Sequence, residues 1–476
     1  MSNERLSDIG IVGMGVMGNN ILLNMNDHGF VAAGYDRTSS KVQRLKEESK
    51  QVAPGHCIDY ASDLKYFTQL LKRPRSIMLL VPAGPAVDAV IQQLLPLLEK
   101  GDLIIDAGNS YFKDTDARAL KLKEKGIHLM GMGVSGGEKG ARLGPSLMPG
   151  GMKEDYDRVR LILEAISAKV KEEPCVTYLG RGSSGHFVKM IHNGIEYGIM
   201  QLIAESYDLM KRGLGLNNDE LRDVFVEWNK GELNSYLMEI TSQIFDKVDE
   251  KTKNKLIDLI LGVAKQTGTG MWTAKSAMEL QIPVPTIDAA VNMRDFSVLV
   301  TERCEMSKIY KPAYKHSIDN RKEFIADLRQ ALYTGIMTVY AQGMSVLTVA
   351  SHKYDYGLDL EAIARIWRGG CIIRAAILED ILAAYKSKKD LSNLLLDTHL
   401  SKKIISNQKA LRKIVSKAAD MNLPAPGLMA SLGYFDTLCS HWLPDNLIQA
   451  QRDYFGSHQY ERTDMAGTFH TEWEEK

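Results

Sequence analysis

The stretch Asp8-Ile-Gly-Ile-Val-Gly13-Met-Gly15-Val-Met-Gly18 decides the fold. A short apolar run of strand length leads into glycines spaced G-x-G-x-x-G, and a helical pattern follows. Each glycine has its own task. Gly13 allows a tight turn, Gly15 lets a pyrophosphate approach the backbone, and Gly18 lets the helix pack closely on the strand. The start of that helix offers unpaired N–H groups to phosphate oxygens. Met14, Val16 and Met17, interleaved with the glycines, belong to the same expected cofactor loop. About 20 residues on, a second strand ends in Tyr35-Asp36-Arg37-Thr38, where an adenosine ribose is read in such folds.

Outward from this point, apolar runs recur at 9–12, 31–35, 76–81, 103–106 and 128–132, separated by amphipathic, Lys- and Glu-rich stretches of helical length. Runs of this kind suit parallel strands buried between two helix layers. Residues 1–180 therefore predict an α/β, doubly wound dinucleotide-binding domain of Rossmann type. After residue 181 strand-like runs nearly vanish and long helical segments appear, such as 187–212 and 322–351. Residues 181–440 predict a large all-helical domain. It carries a faint duplication: Tyr197-Gly-Ile-Met with Trp228-x-x-Gly231 is echoed by Tyr333-Thr-Gly-Ile-Met with Trp367-Arg-Gly. Residues 441–476 read as a poorly periodic tail. Trp442, Tyr454, Phe455 and Tyr460 are costly to leave in water, so the tail is expected to pack on something.

Composition narrows the function. The chain has 476 residues, too many for one core at about 150 residues per domain. Apolar residues make up 45% and charged residues 25%, as in ordinary globular proteins. Lys plus Arg and Asp plus Glu both total 59, so bulk electrostatic binding to nucleic acid is not expected. Cys57, Cys175, Cys304, Cys371 and Cys439 are scattered, odd in number and free of any Cys-x-x-Cys pair, which argues against a disulfide framework and a zinc ribbon. Buried, reduced thiols in a cytoplasmic protein are the expectation. Residues 1–8 are polar and hold no signal-peptide core, and no run of about 18 apolar residues predicts a membrane span.

The second chemical signal is Lys189-Met-Ile-His192-Asn193-Gly-Ile-Glu196-Tyr197. Lys189, His192, Asn193, Glu196 and Tyr197 fall at i, i+3, i+4, i+7 and i+8, which places all five on one helix face. A polar stripe in an otherwise apolar helix is either a solvated face or a buried functional one. Lys189 and Glu196 lie roughly 10 Å apart along the axis, able to flank a small extended substrate. The positions 137 residues later, Ala326, Arg329 and Tyr333, do not repeat the set.

Over nearly its whole length the sequence resembles the 6-phosphogluconate dehydrogenase family. The shared motifs are Gly13 to Gly18, Asp36-Arg37-Thr38, Gly108-Asn109-Ser110, Gly133-Val-Ser135-Gly136-Gly137-Glu138, Gly144 to Gly151, Lys189 to Tyr197, and the tail Gln449-Ala-Gln-Arg452 through His458. The resemblance implies oxidative decarboxylation of 6-phosphogluconate to ribulose 5-phosphate and CO2 without a metal, in the pentose phosphate pathway. It also implies a homodimer whose tail reaches into its partner. It makes Lys189 the general base and Glu196 the proton donor. Asn109, Ser135, Gly136, Gly137, His192 and Asn193 would hold the carboxylate and hydroxyls. Tyr197, Thr267, Arg294, Arg452 and His458 would surround the phosphate end, the last two supplied by the partner. Val81, Pro82, Ala83 and Asn109 would complete the cofactor side.

Three residues depart from the family's pattern. Thr267 stands where a phosphate-side lysine is usual, Pro82 where a cofactor-loop lysine is common, and Asp36 where Asn is usual. Arg37 and Thr38 favour NADP, whereas Asp36 is placed to accept from a free ribose 2′-hydroxyl. NADP is expected as the main cofactor, with measurable NAD activity. Two other readings share the same fold: a related β-hydroxyacid dehydrogenase acting on another aldonate, kept open by Thr267, and a non-catalytic dinucleotide sensor, which would need neither Lys189 nor Glu196.

Overall fold

The computed structural model describes residues 6–52, 58–311, 318 and 320–474, so Cys57 and the first five residues lie outside the described residues. Seven strands form one sheet in the order β3-β2-β1-β4-β5-β6-β7. They are β1 (Ile9–Val12), β2 (Ala32–Tyr35), β3 (Asp59–Ala61), β4 (Ser76–Leu79), β5 (Leu103–Asp106), β6 (His128–Ser135) and β7 (Ser146–Gly150). The first six run parallel, and β7 returns antiparallel along β6 with Ser135 opposite Ser146. β1, β4 and β5 are buried throughout, as their unbroken apolar runs require. Strand order reverses between β1 and β4, and ligands of open α/β sheets bind at such a reversal.

Two strands of this sheet were not among the expected ones. β3 has three residues, and β7 reads Ser-Leu-Met-Pro-Gly, with a proline inside it. Pro149 is tolerated because β7 is the last strand of the sheet.

From Ser184 onward helices dominate. The long helix Ser184–Asp208 packs along the longer helix Arg321–Lys353. The succession Ser184–Asp208, Asn218–Trp228, Tyr236–Asp246, Thr269–Glu279 and Pro285–Val298 is followed, after one further helix Val300–Tyr310, by Arg321–Lys353, Leu360–Ile366, Ile377–Ser387, Thr398–Asp420 and Pro426–Cys439. Tyr197 and Tyr333 lie on the two long helices. Trp228 ends the helix after the first, and Trp367 caps the helix after the second. The faint sequence repeat thus follows a repeated order of helices.

The long helix lies flush against β6 and β7 because glycines face it. A methyl group on Gly133 would overlap the Cβ of Lys189, and one on Gly185 would overlap the carbonyl oxygens of Gly131 and Met148. This close approach places Lys189 beside the C-terminal end of β6.

The tail has more structure than its weak periodicity suggests. It forms the helix Asp445–Gly456 and a small antiparallel pair, Tyr460–Glu461 with Thr468–Phe469. Within one chain it stays uncovered: Trp442 is 60%, Tyr454 54% and Phe455 73% exposed. The cysteines correct a second expectation. Cys175 and Cys371 are buried free thiols, but Cys304 and Cys439 are exposed, because each lies on a helix face that none of the described residues covers. Among the described residues no helix is long and apolar enough to cross a membrane, and no group of three or more His, Cys, Asp or Glu side chains could hold a metal ion.

Candidate active site

The glycine loop after β1 forms one wall of a cleft of about 480 Å³ at the reversal point. Gly13 has φ +100°, and a Cβ there would meet the carbonyl oxygen of Leu80 at 2.5 Å. A Cβ on Gly18 would overlap the carbonyl oxygen of Gly13. Gly15 faces open space. It caps the helix Val16–Asp27 with no side-chain hydrogen bond, so the first N–H groups of that helix are left for a ligand. A dinucleotide fits this loop on those grounds. Gly13, Gly15, Asp36, Arg37, Thr38, Val81 and Pro82 all line the cleft. Met14 does not: its side chain is buried among the sheet residues, so any contact it makes with a cofactor comes from its backbone.

Asp36 behaves differently from its expected role as a free ribose acceptor. Its Oδ1 accepts from the Thr38 N–H at 3.1 Å, and its Oδ2 accepts from Lys41 Nζ at 2.6 Å. Burial pushes this carboxyl up, but the bonds from Lys41 and Thr38 outweigh it and hold the group below the usual carboxylate range. Lys41 also lines the cleft. The sequence reading missed it, although Asp36-x-x-x-x-Lys41 brackets the turn that starts the next helix. The ammonium of Lys41 offsets the negative charge that Asp36 would otherwise set against a 2′-phosphate.

The polar stripe of the helix Ser184–Asp208 is buried. Lys189, His192 and Asn193 are 6%, 0% and 8% exposed, which removes the solvated-face alternative. Glu196 and Tyr197 are half-buried. Lys189 Nζ donates to Asn193 Oδ1 at 2.7 Å. His192 Nδ1 lies 3.1 Å from the same oxygen, and its Nε2 lies 3.3 Å from Ser135 Oγ at the end of β6. Burial is the largest influence on each titratable group here. It pulls Lys189 below the ordinary lysine value, against the opposing charge of Glu196. It pushes Glu196 above the ordinary carboxyl value, against the charges of Lys189 and Arg294. Burial and the Lys189 charge together hold His192 neutral. A neutral His192 that donates from Nδ1 to Asn193 accepts from Ser135 at Nε2. The arrangement offers a base and an acid on one helix face, each shifted toward neutrality.

Residues from the second helical succession close this site; the sequence marks Trp367 only as part of the repeat, and nothing in it singles out Ile372. The Trp367 ring meets His192 edge-on at 5.6 Å between centroids. The backbone N–H of Ile372 reaches Ser135 Oγ at 3.4 Å.

Toward the expected phosphate end, the Arg294 guanidinium lies 5.0 Å from the Tyr197 ring centroid. Thr267 and Lys265 are both exposed on the loop before the helix Thr269–Glu279. That loop is tied to the helix bearing Arg294 by Gln266, which donates to Asp295 at 2.7 Å. Asn109 is exposed above Ser110, whose hydroxyl donates to buried Asp106 at 2.7 Å. Gly136 and Gly137 turn the chain from β6 into the helix Gly137–Leu143. Arg452 and His458 are not brought to this group within the chain. Arg452 donates to Gln449 at 3.0 Å, and the His458 ring sits 6.0 Å from that of Phe455.

Comparison with known proteins gives a consistent result. Residues 8–180 match the NAD binding domain of 6-phosphogluconate dehydrogenase, and residues 185–473 match the C-terminal domain of 6-phosphogluconate dehydrogenase. The chain is 50% identical to the NADP(+)-dependent, decarboxylating 6-phosphogluconate dehydrogenase of Bacillus subtilis, over 98% of each chain. It is 47% identical to decarboxylating 6-phosphogluconate dehydrogenase 1 of Spinacia oleracea, over 98% of this chain and 97% of that one. It is also similar to the solved structure of Plasmodium falciparum 6-phosphogluconate dehydrogenase, studied in its apo form and in complex with NADP+ and with 6-phosphogluconate. There the TM-score is 0.94 at 46% identity, covering 98% of this chain and 100% of that one.

Proposed function

The chain belongs to the 6-phosphogluconate dehydrogenase family, and on that premise we propose that it oxidises 6-phosphogluconate with NADP and releases CO2 to give ribulose 5-phosphate. The observation that carries this reading is one helix face enclosed at the end of β6, where His192 meets Ser135 and Lys189 donates to Asn193, with burial pulling Lys189 below and pushing Glu196 above their ordinary values. A dinucleotide sensor has no use for either shift.

Neutral Lys189 takes the proton of the C3 hydroxyl. The glycine loop would hold the pyrophosphate of NADP, and Arg37, Thr38 and Lys41 after β2 its 2′-phosphate end; the bound cofactor would supply the acceptor for the C3 hydride. Lys189, now protonated, donates a hydrogen bond to the new C3 carbonyl. The carbonyl draws in the electron pair of the C1–C2 bond, and the carboxylate leaves as CO2. Lys189 hands its proton to the C3 oxygen to give the enediol, Glu196 delivers a proton to the carbon that carried the carboxylate, which becomes C1 of the product, and Lys189 takes the oxygen's proton back as the enediol becomes the ketone. His192 stays neutral and holds Asn193 and Ser135 in place for the substrate's polar groups. Arg294 and Tyr197 take the phosphate end, where the planar guanidinium donates two bonds at once.

The enzyme works as a homodimer in the cytoplasm, a compartment that suits unpaired thiols. In the dimer Arg452 and His458 of one subunit complete the phosphate site of the other. The uncovered aromatic residues of the tail support this, as do exposed Phe296, Met306, Ile309 and Tyr310 on the helical domain. The deciding experiment is NADPH formation at 340 nm with 6-phosphogluconate, set against unphosphorylated gluconate and other aldonates. Strong preference for an unphosphorylated acid would replace this reading with the related-dehydrogenase one.

Cofactor choice gives a separate prediction. Lys41→Ala frees the Asp36 carboxylate and removes a cation from the cleft. It should lower kcat/KM for NADP by about 10- to 100-fold, the worth of one charge-assisted bond, while leaving NAD nearly unchanged. Arg37→Ala should act in the same direction. Equal losses for both cofactors would mean that these residues do not read the 2′-phosphate.

A further inference from the structure

Asp453 is an anomaly in the tail. Its neighbours Arg452, Tyr454 and Phe455 are exposed, yet Asp453 is 0% exposed. No lysine or arginine pairs with it among the described residues. Instead it collects donors from the chain that follows. Oδ1 accepts from the Gln459 N–H at 2.8 Å and from His470 Nδ1 at 2.9 Å. Oδ2 accepts from the Thr471 N–H at 3.1 Å and from the Trp473 indole N–H at 2.8 Å. All four donors belong to the tail. Burial works against the charge, but these bonds outweigh it and hold the carboxyl well below the usual range.

The backbone around this carboxylate is strained. Ser457 has φ +48° and Gln459 φ +59°, both left-handed and neither a glycine, and His458 lies between them. Such conformations are unfavourable for residues with a Cβ and persist only where surrounding bonds over-determine them. Here two bonds from Asp453 do so. Its carbonyl accepts from the Ser457 N–H at 2.9 Å, and its side chain accepts from the Gln459 N–H. Asp453 also adjoins Arg452 in the helix Asp445–Gly456.

We propose that Asp453 is a positioning residue for the phosphate site: by clamping residues 457–473 back onto the helix it presets Arg452 and His458 in the geometry in which they enter the partner's site. A preset pair loses less conformational freedom on binding than a loose one. The inference rests on the reading that Arg452 and His458 meet the substrate phosphate.

Asp453→Asn tests it, because the amide keeps the shape but turns one acceptor into a donor facing N–H groups. The expected result is a KM for 6-phosphogluconate at least tenfold higher, with kcat at saturation and NADP Kd changed less than about twofold, as for loss of binding that is equal in ground and transition states. His470→Ala, which removes one donor from an exposed edge, should move KM in the same direction by less. Sedimentation verifies that both variants remain dimers. Arg452→Ala is measured alongside. If Arg452→Ala leaves KM unchanged, the tail reading itself fails. If Arg452→Ala raises KM but Asp453→Asn and His470→Ala do not, the clamp is overturned. An equal fall of kcat in the presence of an unchanged KM would also overturn it.

Discussion

Lys189→Ala should lower turnover of 6-phosphogluconate by about 10²- to 10⁴-fold, the usual worth of a general base, while NADP binding stays nearly unchanged. The lysine faces the helix–sheet junction and not the glycine loop, so cofactor affinity has no reason to follow. Its burial has a second consequence. A base must be unprotonated, so activity rises with pH as Lys189 loses its proton, at a pH below the ordinary 10.5. A donor must be protonated, so activity falls as Glu196 loses its proton, at a pH above the ordinary 4.5. The profile is therefore bell-shaped, and its limbs belong to the coupled pair. In Glu196→Gln the descending limb should vanish along with most of the turnover. Near-normal kcat in Lys189→Ala, measured by single-turnover NADPH formation, would remove the assignment of the base.

Ending the chain after Leu443 should abolish measurable activity although every residue on the helix Ser184–Asp208 remains. The truncation removes Arg452 and His458 and the uncovered aromatics Tyr454 and Phe455. Hybrid dimers make the test sharper. At a 6-phosphogluconate concentration well below the raised KM of Arg452→Ala, dimers of Arg452→Ala and dimers of Lys189→Ala should each show little activity of their own. In a hybrid, the Arg452→Ala subunit keeps its own Lys189 and borrows an intact tail from its partner. Random mixing makes half the dimers hybrids with one working site of two, so about a quarter of the unaltered activity should return. No recovery in verified hybrids would mean that each tail serves its own subunit.

The nucleotide-binding half was legible because its physics is local. A G-x-G-x-x-G loop between an apolar run and a helix has few other uses, and the φ of Gly13 and the contacts around Gly18 are what that spacing demands. The five-residue stripe from Lys189 to Tyr197 was legible as one helix face for the same reason, since helical periodicity depends only on the chain. Resemblance to a family supplied the roles, and periodicity could not have.

Burial is where local signals ended. The stripe read equally well as solvated or functional until β6, β7, Trp367 and Ile372 were seen to enclose it, and these come from segments far apart in the chain. The Lys189 and Glu196 shifts follow from that enclosure and from no feature of the helix itself. Asp36 shows the same limit at shorter range. Its type and position favoured a free ribose, but a side chain five residues on occupies its carboxylate. The tail marks the far end of the scale. Its weak periodicity concealed a helix and a strand pair, because its order comes from Asp453 gathering donors at positions 459, 470, 471 and 473. Patterning along a chain records which face of an element is apolar; which distant group comes to meet that face is settled only when the chain has packed.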